Sequence, residues 1–222
     1  MYWYQYLLYM LPAYLLVLII QIALKNTVNR YSSAMSPMTG AEAAALVLRL
    51  GGVSDVNIGQ IRGDMTDNYD PSSRMIYLSS TSYAKNTVTA VGVAAHEAGH
   101  AMQYNENYGP AVLRQSAVRI CNIGSRLSVP LMIAGYVLSF EPLIYAGLIC
   151  FLFVIAFQLI TLPVEFNASR RAVKALEGSG RFTEEQLKGV KKVLTAAAMT
   201  YVGALALSTV QLLYNISRFR RK

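Results

Sequence analysis

Residues 143–164 read LIYAGLICFLFVIAFQLITLPV, twenty-two positions without a charge, and Glu165 follows at once. A helical run of that length and composition crosses about 30 Å of hydrocarbon. Two further uncharged runs flank the chain: 1–22, with Lys25 as the first charge met, and 193–217. A chain of 222 residues that is 54% hydrophobic and only 14% charged is too apolar for an ordinary soluble protein. It reads as a multi-pass protein of the cell membrane, with the lipid bilayer as its first partner. Tyr2, Trp3, Tyr4, Tyr6 and Tyr9 suit an interfacial aromatic belt, so the first run is expected to be a retained anchor rather than a cleaved signal. Cys121 and Cys150 are the whole cysteine inventory, which excludes a disulfide scaffold.

A formal charge of +8 raises the question of nucleic acid. The basic residues decide it by their placement beside apolar runs: Lys25 and Arg30; Arg114, Arg119 and Arg126; Arg170, Arg171 and Lys174; and the tail 218–222. That is juxtamembrane anchoring to the cytoplasmic leaflet, and no basic stripe with interleaved aromatics accompanies it. No nucleic-acid partner is expected.

The long stretch 25–126 carries the water-facing chemistry. Thr39-Gly-Ala-Glu42 is a capping box that opens a helix over 41–50, and Gly51-Gly52 stops it. Short strands are expected at 53–61 and 75–79, separated by a turn-rich segment at 64–73. A long helix follows over 87–104, Gly109-Pro110 breaks it, and another covers 111–127. Residues 128–140 are apolar but short, Glu141-Pro142 separates them from the 143–164 span, and a helix resumes over 165–176. After the turn at Gly178-Ser-Gly180, Thr183-Glu184-Glu185-Gln186 opens a last helix that runs into the third apolar run.

The only histidines are His96 and His100, in His96-Glu97-Ala98-Gly99-His100. Positions four apart on a helix share a face, so both imidazoles can bind one Zn²⁺ while Glu97 stands beside the water that such an ion activates. Gly99 costs about 1 kcal/mol in a helix relative to alanine, so another backbone or a ligand is expected close by, unless it is merely a tolerated small residue. A catalytic zinc wants a third protein ligand, and no histidine is left. Of the later carboxylates, Glu106 is close in sequence, Glu141 sits at the far end of an apolar segment, Glu177 adjoins a turn, and Glu184 and Glu185 start a helix. Glu165 remains, either as that ligand or as a charge marking the end of a span.

These residues carry a resemblance. His96-Glu97-Ala98-Gly99-His100-Ala101-Met102-Gln103, the upstream Asp67-Asn68-Tyr69-Asp70-Pro71 and the downstream Leu162-Pro163-Val164-Glu165-Phe166-Asn167-Ala168-Ser169-Arg170-Arg171 are similar to the YugP-type bacterial membrane zinc metallopeptidases. That family is distantly similar to HtpX-type and CAAX prenyl-protease-type enzymes, which share the gluzincin plan of HExxH with a later glutamate. The resemblance implies His96, His100 and Glu165 as ligands of one Zn²⁺ per chain and Glu97 as general base. In those relatives an Asp stands four residues after the ligand Glu, where this chain has Ser169, so the partner of the ligand histidines is open among Asn167, Ser169 and the upstream aspartates. Asp55, Asp64, Asp67 and Asp70 otherwise suit turn chemistry. The 75–79 strand is either an edge that pairs with an extended substrate, as in enzymes resembling gluzincins, or an internal strand. Arg170 and Arg171 could hold a substrate carboxylate or an oxyanion, but juxtamembrane anchoring explains them more simply.

The expected fold is α+β, mainly helical: a membrane-integral, gluzincin-like metallopeptidase with three to four transmembrane or re-entrant helices. Its expected organisation is an anchor at 1–24, a zinc-binding catalytic domain at 25–127, a membrane hairpin at 128–164, a third-ligand helix and connection at 165–192, a membrane helix at 193–217 and the basic tail. The expected activity is zinc-dependent endopeptidase cleavage of a peptide or protein substrate near the membrane surface. The alternatives are a membrane scaffold with a structural metal and a metal hydrolase of non-peptide bonds. Basic residues place the zinc site on the cytoplasmic side and the N-terminus outside. The tail votes the other way if 193–217 crosses fully.

Overall fold

The computed structural model describes residues 3–64 and 66–219; Tyr2 of the expected aromatic belt and residues 220–222 of the basic tail lie outside them. The chain is mainly helical with one small sheet, in the order α1 (Trp3–Tyr31), α2 (Gly40–Leu50), β1 (Asn57–Ile61), β2 (Asn68–Asp70), β3 (Met75–Ser79), α3 (Ser80–Tyr83), α4 (Val88–Asn105), α5 (Gly109–Val137), α6 (Glu141–Gly178) and α7 (Glu184–Phe219). It forms two compact units. One is drawn from residues up to Gln21, Val112–Leu162 and residues from Thr200 onward; the other comprises Ile22–Ala111 and Pro163–Met199.

In the first unit the helices keep apolar side chains outward, Val137 being 77% exposed and Leu8 65%, which suits a lipid solvent. Four helices among the described residues are long and apolar enough to cross a membrane: Tyr4–Tyr31, Gly109–Val137, Glu141–Gly178 and Glu184–Arg218. Small residues let α5 and α6 approach closely: a Cβ on Gly147 would sit 2.8 Å from the Ser128 carbonyl oxygen, and one on Gly124 3.1 Å from that of Cys150. Polar pairs join helices inside this unit, with Gln158 Nε2 donating to Ser208 Oγ at 3.0 Å and the Tyr6 hydroxyl to Gln211 Oε1 at 2.9 Å.

The second unit packs α2 and α4 on the sheet. The capping box is present: Glu42 N–H donates to Thr39 Oγ1 at 3.3 Å, and the Glu42 carboxylate accepts the Thr39 N–H at 2.7 Å. Gly52, at φ +68°, takes the left-handed turn that ends α2. The α4 helix starts at Thr87, whose hydroxyl accepts the Ala90 N–H at 3.2 Å. Its small residues Ala94, Ala95 and Ala98 are fully buried with Ala43, Ala44 and Val47 of α2 and Ile76 and Leu78 of β3. The sheet order is β1-β3-β2, with β1 parallel and β2 antiparallel to β3.

Several elements depart from the sequence reading. Of the two readings left open for the 75–79 strand, the internal one is realised: it is the central strand. Residues 68–70, read as turn, form a third strand whose Tyr69 pairs with Ile76; three residues among Asp and Ser leave no visible alternation. The first strand begins at Asn57 rather than at 53. Residues 111–127 and 128–137 belong to one helix that continues through Pro130, and 143–164 and 165–176 to another that continues through Pro163. Prolines end helices in water, but packed neighbours in a membrane protein tolerate them, so these two mark no boundary.

Candidate metal centre

One face of α4 converges with one face of α6. On α4, His96, His100 and Gln103 stand four and three residues apart and therefore align. On α6, Val164, Glu165, Ala168 and Ala172 recur at helical spacing and are all buried, whereas Phe166, Arg170 and Lys174 face outward. Gly99 is what permits the approach. A Cβ there would collide with the carbonyl oxygen of Ala168 and stand 3.0 Å from its carbonyl carbon. Of the readings left open for that glycine, close backbone approach is the one realised.

Across this junction His96 Nε2 lies 3.2 Å and His100 Nε2 3.7 Å from the same oxygen, Oε2 of Glu165. One ligand atom from each of the three residues lies within 4.8 Å of the others. Ligands about 2.0–2.2 Å from a tetrahedral zinc stand roughly 3.3–3.6 Å apart, so this spacing fits one ion with modest adjustment. The donor set also fits: two imidazole nitrogens and a carboxylate face one point, an arrangement that a cation resolves. The rings meet edge to face, with centroids 4.6 Å apart. Glu165 is only 3% exposed and sits in mid-helix, directly after the uncharged run. Glu97, adjacent to His96, is 9% exposed. Burial works against charging His100, yet the hydrogen bond to Glu165, the charges of Glu97 and Glu165 and the bond to Gln103 together hold its pKa above the ordinary imidazole value.

The outer atoms of both rings are occupied. His96 Nδ1 lies 3.1 Å from Ser169 Oγ, and His100 Nδ1 lies 3.0 Å from Gln103 Oε1. Ser169 was among the partners left open by the sequence; Gln103 was not. Its signal was present in the spacing, since a polar residue seven after His96 must share the metal-facing stripe, and it is fully buried there. Gln103 Nε2 donates to the Val164 carbonyl at 2.7 Å and to Asn167 Oδ1 at 2.9 Å. Arg171 Nε donates to the same Asn167 oxygen at 2.7 Å, and its Nη1 pairs with Glu106 at 2.6 Å. Arg171 thus belongs to the support of the centre, while Arg170 is exposed.

The remaining candidates lie elsewhere. Asp67 accepts the Ser79 N–H at 2.8 Å and the Ser79 hydroxyl, anchoring the end of β3. Asp70 accepts the Ser72 N–H at 2.8 Å and the Ser73 hydroxyl at 2.7 Å, which is turn chemistry. Asp55 pairs with Arg74. Glu177 pairs with Lys191 and Glu184 with Lys188.

Residues 6–220 match the family described as "Putative neutral zinc metallopeptidase". The chain is 42% identical over 195 residues, 87% of each sequence, to the protein named "Putative membrane protease YugP" of Bacillus subtilis (strain 168). No solved structure matches it.

Proposed function

We propose a catalytic role from one premise: this chain belongs to the YugP-type family of neutral zinc metallopeptidases. The reading is a membrane-embedded, gluzincin-type zinc endopeptidase that hydrolyses peptide bonds in extended segments near the membrane surface. The observation that carries it is the meeting of His96, His100 and Glu165, sixty-nine residues apart at the widest, with ligand atoms within 4.8 Å of one another.

In this reading His96, His100 and Glu165 hold one zinc through two Nε2 atoms and a carboxylate oxygen. When bound, zinc supplies Lewis acidity toward the scissile carbonyl and lowers the pKa of water toward neutrality. Glu97 is the general base: its carboxylate takes the proton of the attacking water, then delivers it to the amine nitrogen as the C–N bond breaks. Burial keeps Glu97 from bulk solvent and raises the worth of its interactions. Since β3 is internal, the extended substrate is assigned to the open edge of β2, where no other strand pairs among the described residues. That edge flanks the metal helix, with the Tyr69 ring 5.7 Å from that of Tyr104. Basic clusters beside the apolar runs support a site on the cytoplasmic side.

The test is Glu97→Gln in detergent-purified protein. It should bind zinc one to one, like the parent, while cleavage of unfolded reporter polypeptides falls by about 10²–10⁴-fold. Parental proteolysis by a zinc-loaded E97Q protein would end the assignment. Glu165→Ala, folded but unable to retain zinc, checks the third ligand.

A further inference from the structure

We infer that the unit formed by the apolar helices holds a binding site for one anionic phospholipid, in a cavity of about 650 Å³ between α5 and α7 with Arg218 where the helices end. The inference rests on the membrane reading of these helices and is independent of the metal reading.

Two helices present the same stripe to this cavity. On α5 it is lined by Val129, Met132, Ile133 and Tyr136, and on α7 by Gln211, Tyr214, Asn215 and Arg218. In each set the later members stand three, four and seven residues after the first, the spacing of one helical face. The α5 stripe is apolar up to Tyr136, whereas the α7 stripe is polar. Amides at this depth are costly in hydrocarbon, so Gln211 and Asn215 mark a place where something polar is met. Their donors run in one direction: the Tyr6 hydroxyl donates to Gln211 Oε1 at 2.9 Å, and Gln211 Nε2 to Asn215 Oδ1 at 3.2 Å. The row ends on Asn215 Nδ2, which meets the Met132 sulfur at 3.6 Å. A thioether is a weak acceptor, so an oxygen entering the cavity is the better partner for that NH₂.

Charge and depth select the ligand. Arg218 is half-buried, its guanidinium stands 4.7 Å from the centre of the Tyr136 ring, and among the described residues it pairs with no carboxylate. Glu141 is the sole acidic residue of this unit, and it does not line the cavity. An anion is therefore the complement, and a guanidinium holds phosphate through parallel N–H bonds. Basic pockets between membrane helices bind anionic headgroups for this reason. Counted inward along α7 at 1.5 Å per residue, Asn215 lies about 4.5 Å deeper than Arg218 and Gln211 about 10 Å deeper. Val129 and Ile133 are exposed, so the apolar wall continues onto the lipid-facing surface. A phospholipid carries its groups in the same order: phosphate, ester carbonyls, acyl chains. The phosphate is assigned to Arg218, an ester carbonyl to the Asn215 NH₂, and an acyl chain to Val129, Met132 and Ile133. A free phosphate would meet only the first of these, and a headgroup of zero net charge would leave the Arg218 charge without its complement.

The experiment uses the full chain, purified in mild detergent and stripped of lipid, with native mass spectrometry of its complexes with phosphatidylglycerol and phosphatidylethanolamine of identical acyl chains. The parent should bind one phosphatidylglycerol about fivefold more tightly than phosphatidylethanolamine, the effect of one basic residue on an anionic headgroup. Arg218→Gln should lower phosphatidylglycerol to the phosphatidylethanolamine level. Arg126→Gln, an equal loss of charge at an exposed position of α5 outside the cavity, should change neither. Asn215→Leu should weaken both lipids alike, since both carry ester carbonyls, and Ile133→Trp, which fills the apolar end, should displace both. Equal affinity of the parent for the two lipids would overturn the site without any variant having to fold. So would a selectivity that R126Q removes as fully as R218Q, or displacement of the lipid by inorganic phosphate at equal concentration. A chain recovered from cells without detergent would remove the membrane reading itself, a failure distinct from lost selectivity.

Discussion

Gly99→Ala tests whether the spacing of α4 and α6 is what assembles the centre. In an isolated helix this change is favourable by about 1 kcal/mol. Here the new methyl meets the Ala168 carbonyl, with its carbon at 3.0 Å, where non-bonded carbons rest about 3.5–4.0 Å apart. The α6 backbone must withdraw by roughly 0.5–1 Å to restore that distance. Glu165 lies one turn before Ala168 on the same face, so its carboxylate withdraws with it, while ligand distances in a zinc site tolerate about 0.2 Å. Overpacking of this kind costs about 1–3 kcal/mol, which cancels the helical gain or exceeds it. We expect zinc affinity at least tenfold weaker, equivalent to about 1.4 kcal/mol. The control is Gly92→Ala, two turns earlier on α4, where the added Cβ would lie 3.6 Å from Val190 Cγ1, an ordinary contact. G92A should gain about 0.5–1 kcal/mol of stability and keep the parental zinc Kd. Chelator competition and thermal unfolding in detergent give both quantities. If G99A binds zinc as G92A does, the junction does not set the site and the argument fails.

Three further outcomes are expected. Asp67→Ala removes the acceptor of the Ser79 N–H and hydroxyl at the buried end of β3, and should cost about 1.5–3 kcal/mol in an unfolding measurement; no change would show that the anchor is idle. Glu42 has its pKa held below the ordinary 4.5 by the Thr39 N–H and then by its hydroxyl; a carboxylate depressed in the folded state stabilises above its unfolded value, and that help is lost as pH falls through the folded value. The acid-side decline in stability below about pH 4.5 should therefore be shallower in Glu42→Gln. His100 has the opposite sign: its folded pKa is raised above 6.5, so protonation stabilises the metal-free protein below that value and the effect vanishes as pH rises through the folded pKa. Zinc must displace that proton, so affinity should fall as pH drops below the raised value, and titration calorimetry in buffers of different ionisation enthalpy should show proton release. An affinity flat across that window would contradict the shift.

What could be read from residues alone followed short-range rules. Uncharged runs of membrane-crossing length, the capping box at Thr39 and the helical spacing of His96 and His100 are local properties, and the structure contains the helices they imply. Whether the 75–79 strand is an edge or internal was not readable, because a strand's place in a sheet depends on its neighbours, and β2 was too short to announce itself. The joins at 127/128 and 164/165 misled for a related reason: a change from charged to apolar composition marks where a helix can enter lipid, not where it ends. Glu165 emerged from the sequence by elimination among later carboxylates and through the family resemblance. Its depth, its distance from both imidazoles and the company of Gln103, Asn167 and Arg171 are properties of two helices pressed together at a glycine. The chain order thus determined which side chains could hold a cation and which segments belong in lipid. Tertiary packing decided which of them meet, because distance depends on elements that the linear order leaves far apart.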